Sequence, residues 1–169
     1  MYIRKATFDD IPSLMRIFGC AKEIMRASGN IHQWGSGYPS VEVVRRDIEQ
    51  GVCYVVSENA DGDIEATMAF IPGPDSTYSF IENGAWMDDN PYFVIHRIAV
   101  ANPGKEYARR LLDWAFEHTG TVRIDTHRDN VIMHHILRKY GFRLRGVIYL
   151  ANGEPRDAYQ LTKSNYFIK

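Results

Sequence analysis

The most chemically suggestive block of the chain is His96-Arg97-Ile98-Ala99-Val100, followed by a turn through Asn102-Pro103-Gly104 and then by Lys105-Glu106-Tyr107-Ala108-Arg109-Arg110-Leu111-Leu112. The first segment reads as strand and the last as the opening of a helix. The turn between them therefore presents unpaired backbone N–H groups and the positive end of a helix dipole. Such a turn can hold a phosphate or pyrophosphate, and Lys105, Arg109 and Arg110 add positive charge to the same place. Taken alone, the pattern is equally that of an ordinary basic helix start.

Glu82, His96, Asp125 and His127 are the side chains that could take a proton from a reacting group. Glu82 ends a predicted strand segment just before Trp86, and His96 precedes the apolar part of its strand; Glu82 ranks slightly ahead. A surface carboxylate and a hydrogen-bonded core histidine are the competing structural readings. Arg123, Asp125 and His127 alternate onto one strand face, where a structural charge network is the default. His134 and His135 diverge on a helix, so no metal site is expected with His127. Cys20 and Cys53 lack metal-ligand spacing and read as small buried hydrophobes of a reducing compartment.

The elements that must position these groups follow from periodicity. Tyr2 to Ala6 reads as a strand, and Thr7 with Asp10 as a capping box for a helix whose apolar residues Ile11, Leu14, Ile17, Phe18, Ala21, Ile24 and Met25 recur at three and four. Gly29-Asn30 ends it. His32 to Pro39 is a glycine-punctuated loop carrying Trp34 and Tyr38. Ser40 caps a second helix to Gln50, stopped by Gly51. Val52–Ser57 and Ile64–Ile71 form a hairpin, Tyr78–Glu82 is another expected strand, and Phe93–Val100 is a long buried one. A helix from about Lys105 to His118, a strand from Val122 to His127 and a helix capped by Asn130 and running to Tyr140 complete a crossover unit. Val147–Leu150 then pairs with Ala158–Leu161 around Asn152-Gly153.

The 169 residues, with a formal net charge of -1, fit one α/β domain of residues 1–169. No basic stripe favours nucleic acid, and no apolar run suits a membrane span, so a cytoplasmic protein is expected.

The order of strand, phosphate turn, helix, strand, Asn130-capped helix with Met133, and a closing Gly141-Phe142 resembles the signature region of the GNAT superfamily of N-acetyltransferases. The resemblance covers Phe93 to Phe142. It implies a mixed, largely antiparallel sheet with helices on both faces, splayed between the strand ending at Val100 and the strand Val122–His127, with acetyl-CoA as cosubstrate in the gap. Carried over by position, Ile98, Ala99 and Val100 would face the pantetheine and thioester. Gly104, Lys105, Glu106, Tyr107, Ala108 and Arg109 would face the pyrophosphate, and Asn130 and Met133 the CoA arm. Trp34, Tyr38, Trp86 and Arg156 would bind the acceptor, with core filling or a homodimer contact the rival reading for the aromatics.

Two departures stand out. The places that usually hold Arg or Gln, Gly, and Gly or Ala in the phosphate turn are Pro103, Glu106 and Ala108, and the place of the usual acidic Tyr is Leu137. The resemblance implies an N-acetyltransferase of a small amine, amino-acid-like or polyamine-like. A non-catalytic acyl-CoA or ligand-binding module on the same scaffold is the alternative, and acetylation of protein amines is a third reading.

Overall fold

The computed structural model describes residues 1–35 and 37–166. β1 (Tyr2–Lys5) leads into a 3-10 turn and α1 (Ile11–Ala27). Asp10 organises this junction: it accepts the Thr7 N–H at 2.7 Å and a two-point bond from Arg4 at 2.6 and 2.9 Å. The Arg4 guanidinium, opposed by partial burial, holds the Asp10 carboxyl below its usual range. α2 (Val41–Glu49) starts as expected at Ser40, whose hydroxyl accepts the Val43 N–H, and Gly51 follows it in the left-handed region.

β2 (Cys53–Ser57), β3 (Ile64–Pro72), β4 (Phe93–Val100), α3 (Tyr107–His118), β5 (Thr121–Thr126), α4 (Val131–Lys139), β6 (Arg143–Tyr149), β7 (Pro155–Thr162) and the short α5 (Lys163–Tyr166) complete the order. The seven strands make one sheet in the order β1-β2-β3-β4-β5-β7-β6. Every pairing is antiparallel except β4 with β5.

Strand alternation sorts the core into layers. Val56, Met68, Phe70, Ile95, Val122 and Ile124 pack under α3 and α4, against Leu111, Leu112, Phe116 and Leu137. On the other face, Val55, Cys53 and Ala99 pack with Leu14, Ile17 and Phe18 of α1 and Val44 of α2. Beyond β4, that same face is covered by the segment between β3 and β4, with Tyr78 buried against Val94, Ile148 and Ala158. No helix among the described residues is long and apolar enough to cross a membrane.

Three expectations need correction. Tyr78–Glu82 is not a strand: Ser76–Tyr78 is a 3-10 turn capped by Asp75, and only Glu82 makes an isolated bridge, to Val147. α3 starts at Tyr107 because Glu106 takes a left-handed conformation, φ 50°, which cannot continue a helix. The last hairpin is longer and its register differs: β6 begins at Arg143, and Val147 sits opposite Asp157.

Candidate active site

β4 and β5 run parallel for only two residue pairs, Phe93 with Val122 and Val94 with Arg123, and then part company. Beyond Val94 the β5-facing edge of β4 has no strand partner, so its backbone polar groups open onto the gap. A bulge in the same strand sets the side chains. Ala69 pairs with His96 and Thr67 with Ala99, so Met68 alone faces both Arg97 and Ile98. Arg97 has φ 52°, unusual for a residue with a side chain, and the bulge sends His96 and Arg97 in succession toward the face away from α3. Arg97 is held there by Asp47 of α2, at 2.7 and 2.9 Å, and by the Tyr38 hydroxyl at 3.1 Å.

The gap widens into a cavity of about 650 Å³. One wall is apolar: Ile98, Ala99 and Val100 of β4, Ala108 of α3, and Ile132, Met133 and Ile136 of α4. The opposite wall carries Asp75, Thr77, His96, Asp125 and Arg156, and the roof is the loop between α1 and α2 with Gln33, Trp34 and Tyr38. That loop is tied to both sides of the splay. Gln33 Oε1 accepts from Asn130 at 2.7 Å and from Asn30 at 2.8 Å, while Tyr38 is tied to Arg97. Asn130 also caps α4, its Oδ1 accepting the Met133 N–H at 3.0 Å.

His96 lies between two carboxylates. Its Nε2 is 3.1 Å from Asp75 Oδ2, and its Nδ1 is 3.6 Å from Asp125 Oδ1. An ionised carboxylate can only accept, so Nε2 carries the hydrogen toward Asp75, and in the neutral ring Nδ1 keeps its lone pair. The His96 bond, against the opposing cost of burial and with further bonds from Thr77, holds the Asp75 carboxyl well below the usual carboxylate range. Asp75 Oδ1 accepts both the N–H and the hydroxyl of Thr77, at 2.9 and 2.7 Å.

Asp125 Oδ1 accepts the Tyr78 hydroxyl at 2.7 Å. Burial, reinforced by the Asp125 charge, pushes that phenol far up, so it stays a donor. Tyr78 stacks on Trp86 at 5.2 Å, and Trp86 donates its indole N–H to the Tyr78 carbonyl. Arg123 lies 4.2 Å from the Trp86 ring and 3.8 Å from that of Tyr92, and donates to the Asp88 carbonyl. Of the charge network expected on β5, Arg123 sits instead in an aromatic sandwich that clamps the 73–92 segment onto the sheet, while Asp125 faces Tyr78 and His96, and His127 turns to Asp129.

Of the two bases expected, the structure brings His96 into the cavity and leaves Glu82 outside its lining. Glu82 is exposed and accepts the Tyr149 hydroxyl. Ile98, Ala99, Val100, Ala108, Asn130 and Met133 line the cavity, but Gly104, Lys105, Glu106, Tyr107 and Arg109 do not. Lys105 and Tyr107 turn to Glu58, at 3.2 and 3.1 Å, while Glu106 turns outward toward Arg109 at 3.9 Å. Trp34, Tyr38 and Arg156 line the cavity, and Trp86 is in the sandwich instead. Asp75 and Gln33 went unnoticed in the sequence; Asp75-Ser76-Thr77 carries the signal of a capped turn but none of what the turn faces.

The architecture has known counterparts. An acetyltransferase of the GNAT family from Streptococcus agalactiae 2603 superposes with a TM-score of 0.85 at 34% identity, covering 95% of this chain and 94% of that one. A GNAT-family acetyltransferase from Listeria monocytogenes 4b F2365 follows at TM-score 0.68 and 18% identity, over 95% and 94% of the two chains. A chain of the NatC complex bound to Gag peptide and CoA gives 0.56 at 15%, over 95% and 97%. The last two show likeness of fold alone. No protein-family model and no curated protein matches the chain. The chain belongs to the GNAT family of acetyltransferases.

Proposed function

We propose that this chain is an acetyl-CoA-dependent N-acetyltransferase that acetylates the primary amine of a small molecule in the cytoplasm, with His96 as general base. The observation that carries the reading is the parting of β4 and β5 after Val94 into a cavity that holds His96 between Asp75 and Asp125. The apolar wall of Ala99, Val100, Met133 and Ile136 suits a pantetheine arm, and free amides on the edge of β4 suit a thioester carbonyl. The first-turn amides of α3 supply the phosphate end through the backbone, so outward side chains at Lys105 and Glu106 do not prevent it. A roof tied to both walls supports a small acceptor. A chain of the same fold belongs to the NatC complex bound to Gag peptide and CoA.

Acetyl-CoA supplies an activated acyl carbon. Asp75 orients His96 so that Nδ1 meets the acceptor ammonium and takes its first proton, leaving a neutral amine. A new C–N bond forms as the C–S bond breaks, the nitrogen gives up its second proton, and one proton finally rests on the thiolate. Leu137 is fully buried and offers no acid at the place where a Tyr is usual, but a thiol of ordinary acidity leaves as thiolate without one.

Calorimetric titration with acetyl-CoA and with CoA, followed by thiol release against a panel of primary amines, tests the proposal. Binding in the micromolar range with amine-dependent thiol release is expected. Absence of binding at millimolar acetyl-CoA overturns it, and binding without transfer to any amine makes the chain a binding module.

A further inference from the structure

The charges lining the cavity select among amines. Counting histidines as neutral, the lining carboxylates are Asp75, Asp125 and Glu154, and the lining guanidiniums are Arg97 and Arg156. Both guanidiniums are already engaged. Arg97 gives two donors to Asp47 and a third to Tyr38. Arg156, 5% exposed, gives one to Glu154 Oε2 at 2.8 Å and one to the Pro155 carbonyl at 2.9 Å. Asp75 and Asp125 remain, facing a single imidazole, and no Lys or Arg is bonded to either among the described residues. Asp125 Oδ2 takes no hydrogen bond from the described residues.

The geometry points to an acceptor that is an aliphatic diamine, bearing a second ammonium and no carboxylate. This rests on the reading of the cavity as an acetyl-transfer site. A diamine brings two positive charges to two uncompensated carboxylates. Once His96 has taken one proton, the charges are His96 and the distal ammonium against the same two carboxylates, so balance survives the step. A monoamine leaves one negative charge in excess, and an ω-amino acid leaves two, because its carboxylate adds a charge while both guanidiniums are already ion-paired. Trp34 and Tyr38, an edge-on aromatic pair with ring centroids 6.4 Å apart, also line the cavity, and aromatic rings favour a cation over an anion.

The test is thiol release with acetyl-CoA and three acceptors of five carbons each: 1,5-diaminopentane, 1-aminopentane and 5-aminopentanoate. Expected is a kcat/KM order of diamine over monoamine over amino acid, each step roughly tenfold and compressed by added salt, since the discrimination is coulombic. Asp125→Asn keeps an oxygen for the Tyr78 hydroxyl while removing one charge, so the diamine-to-monoamine ratio falls toward one whatever happens to the absolute rate. An amino acid that equals or outruns the diamine, or a ratio unmoved by Asp125→Asn, overturns the inference and leaves acetyl transfer standing. Failure of acetyl-CoA to bind in the same preparation overturns both.

Discussion

Arg97 and Asp47 form a two-point ion pair, 2.7 and 2.9 Å, that fastens the bulge of β4 to α2. Both side chains are nearly buried, so removing one partner leaves the other unpaired out of water. Asp47→Ala is expected to cost about 3 kcal/mol of stability, read as a fall in the urea midpoint at unchanged slope. Arg97→Gly should be less damaging than Arg97→Ala by about 1 kcal/mol, since glycine takes a φ of 52° without strain.

His96→Gln removes the proton acceptor while retaining a side chain that can still bond to Asp75. We expect kcat to fall by about 10²- to 10³-fold with little change in acetyl-CoA affinity. Glu82→Gln, outside the cavity lining, should leave kcat within about twofold. Steady-state kinetics of the two variants side by side decide between the bases.

Asp75 gives the site a pH signature. Its carboxyl is held below the usual range by His96, so the folded state binds its proton less readily than the unfolded chain. The stability this contributes is complete above the unfolded carboxyl value of about 4 and is lost as pH falls through the lower folded value. Acid unfolding of Asp75→Asn should accordingly show a shallower pH dependence below about pH 4.

Gln33 and Asn130 couple the roof loop to α4. Asn130→Ala removes a helix cap, worth about 1 kcal/mol, together with the Gln33 bond, while Gln33→Ala removes that bond and those Gln33 accepts from Asn30 and Thr126. A double-mutant cycle should return a coupling of about 0.5–1 kcal/mol in thermal or denaturant unfolding. Additive losses would mean the loop is not held by this bond.

Burial pushes the Cys53 thiol up to about 11, while Cys20 is only partly buried. Labelling at pH 8 should therefore reach Cys20 and spare Cys53 until the chain unfolds. Because the folded value is raised, the preference for the neutral thiol is fully present below the unfolded value and fades as pH climbs through the folded one.

Much of the scaffold was legible because its signals are local. The three-and-four spacing of α1, the Ser40 and Asn130 caps and the alternation in β4 each depend on neighbours in the chain. The order of these elements carried the resemblance to the GNAT family, and with it the gap between β4 and β5. The phosphate turn was the exception: the left-handed Glu106 delayed α3, and Lys105 and Tyr107 turned to Glu58, a partner far off in sequence.

The sequence by itself determined most of the strands and helices, since hydrophobic periodicity and capping act over a few residues, and the place of the gap followed only from the resemblance that their order carried. Which groups face that cavity was decided by the tertiary structure alone. Glu82 and Asp75 both lie in the aperiodic segment between β3 and β4. Its path is set by stacking of Tyr78, Trp86 and Tyr92 about Arg123, and by the close approach of Gly84 to the Arg145 backbone. Those contacts turn Asp75 inward and leave Glu82 outside. Likewise, no local preference gives Arg97 a left-handed backbone; a carboxylate on α2, remote in the chain, holds it there and with it the direction of His96.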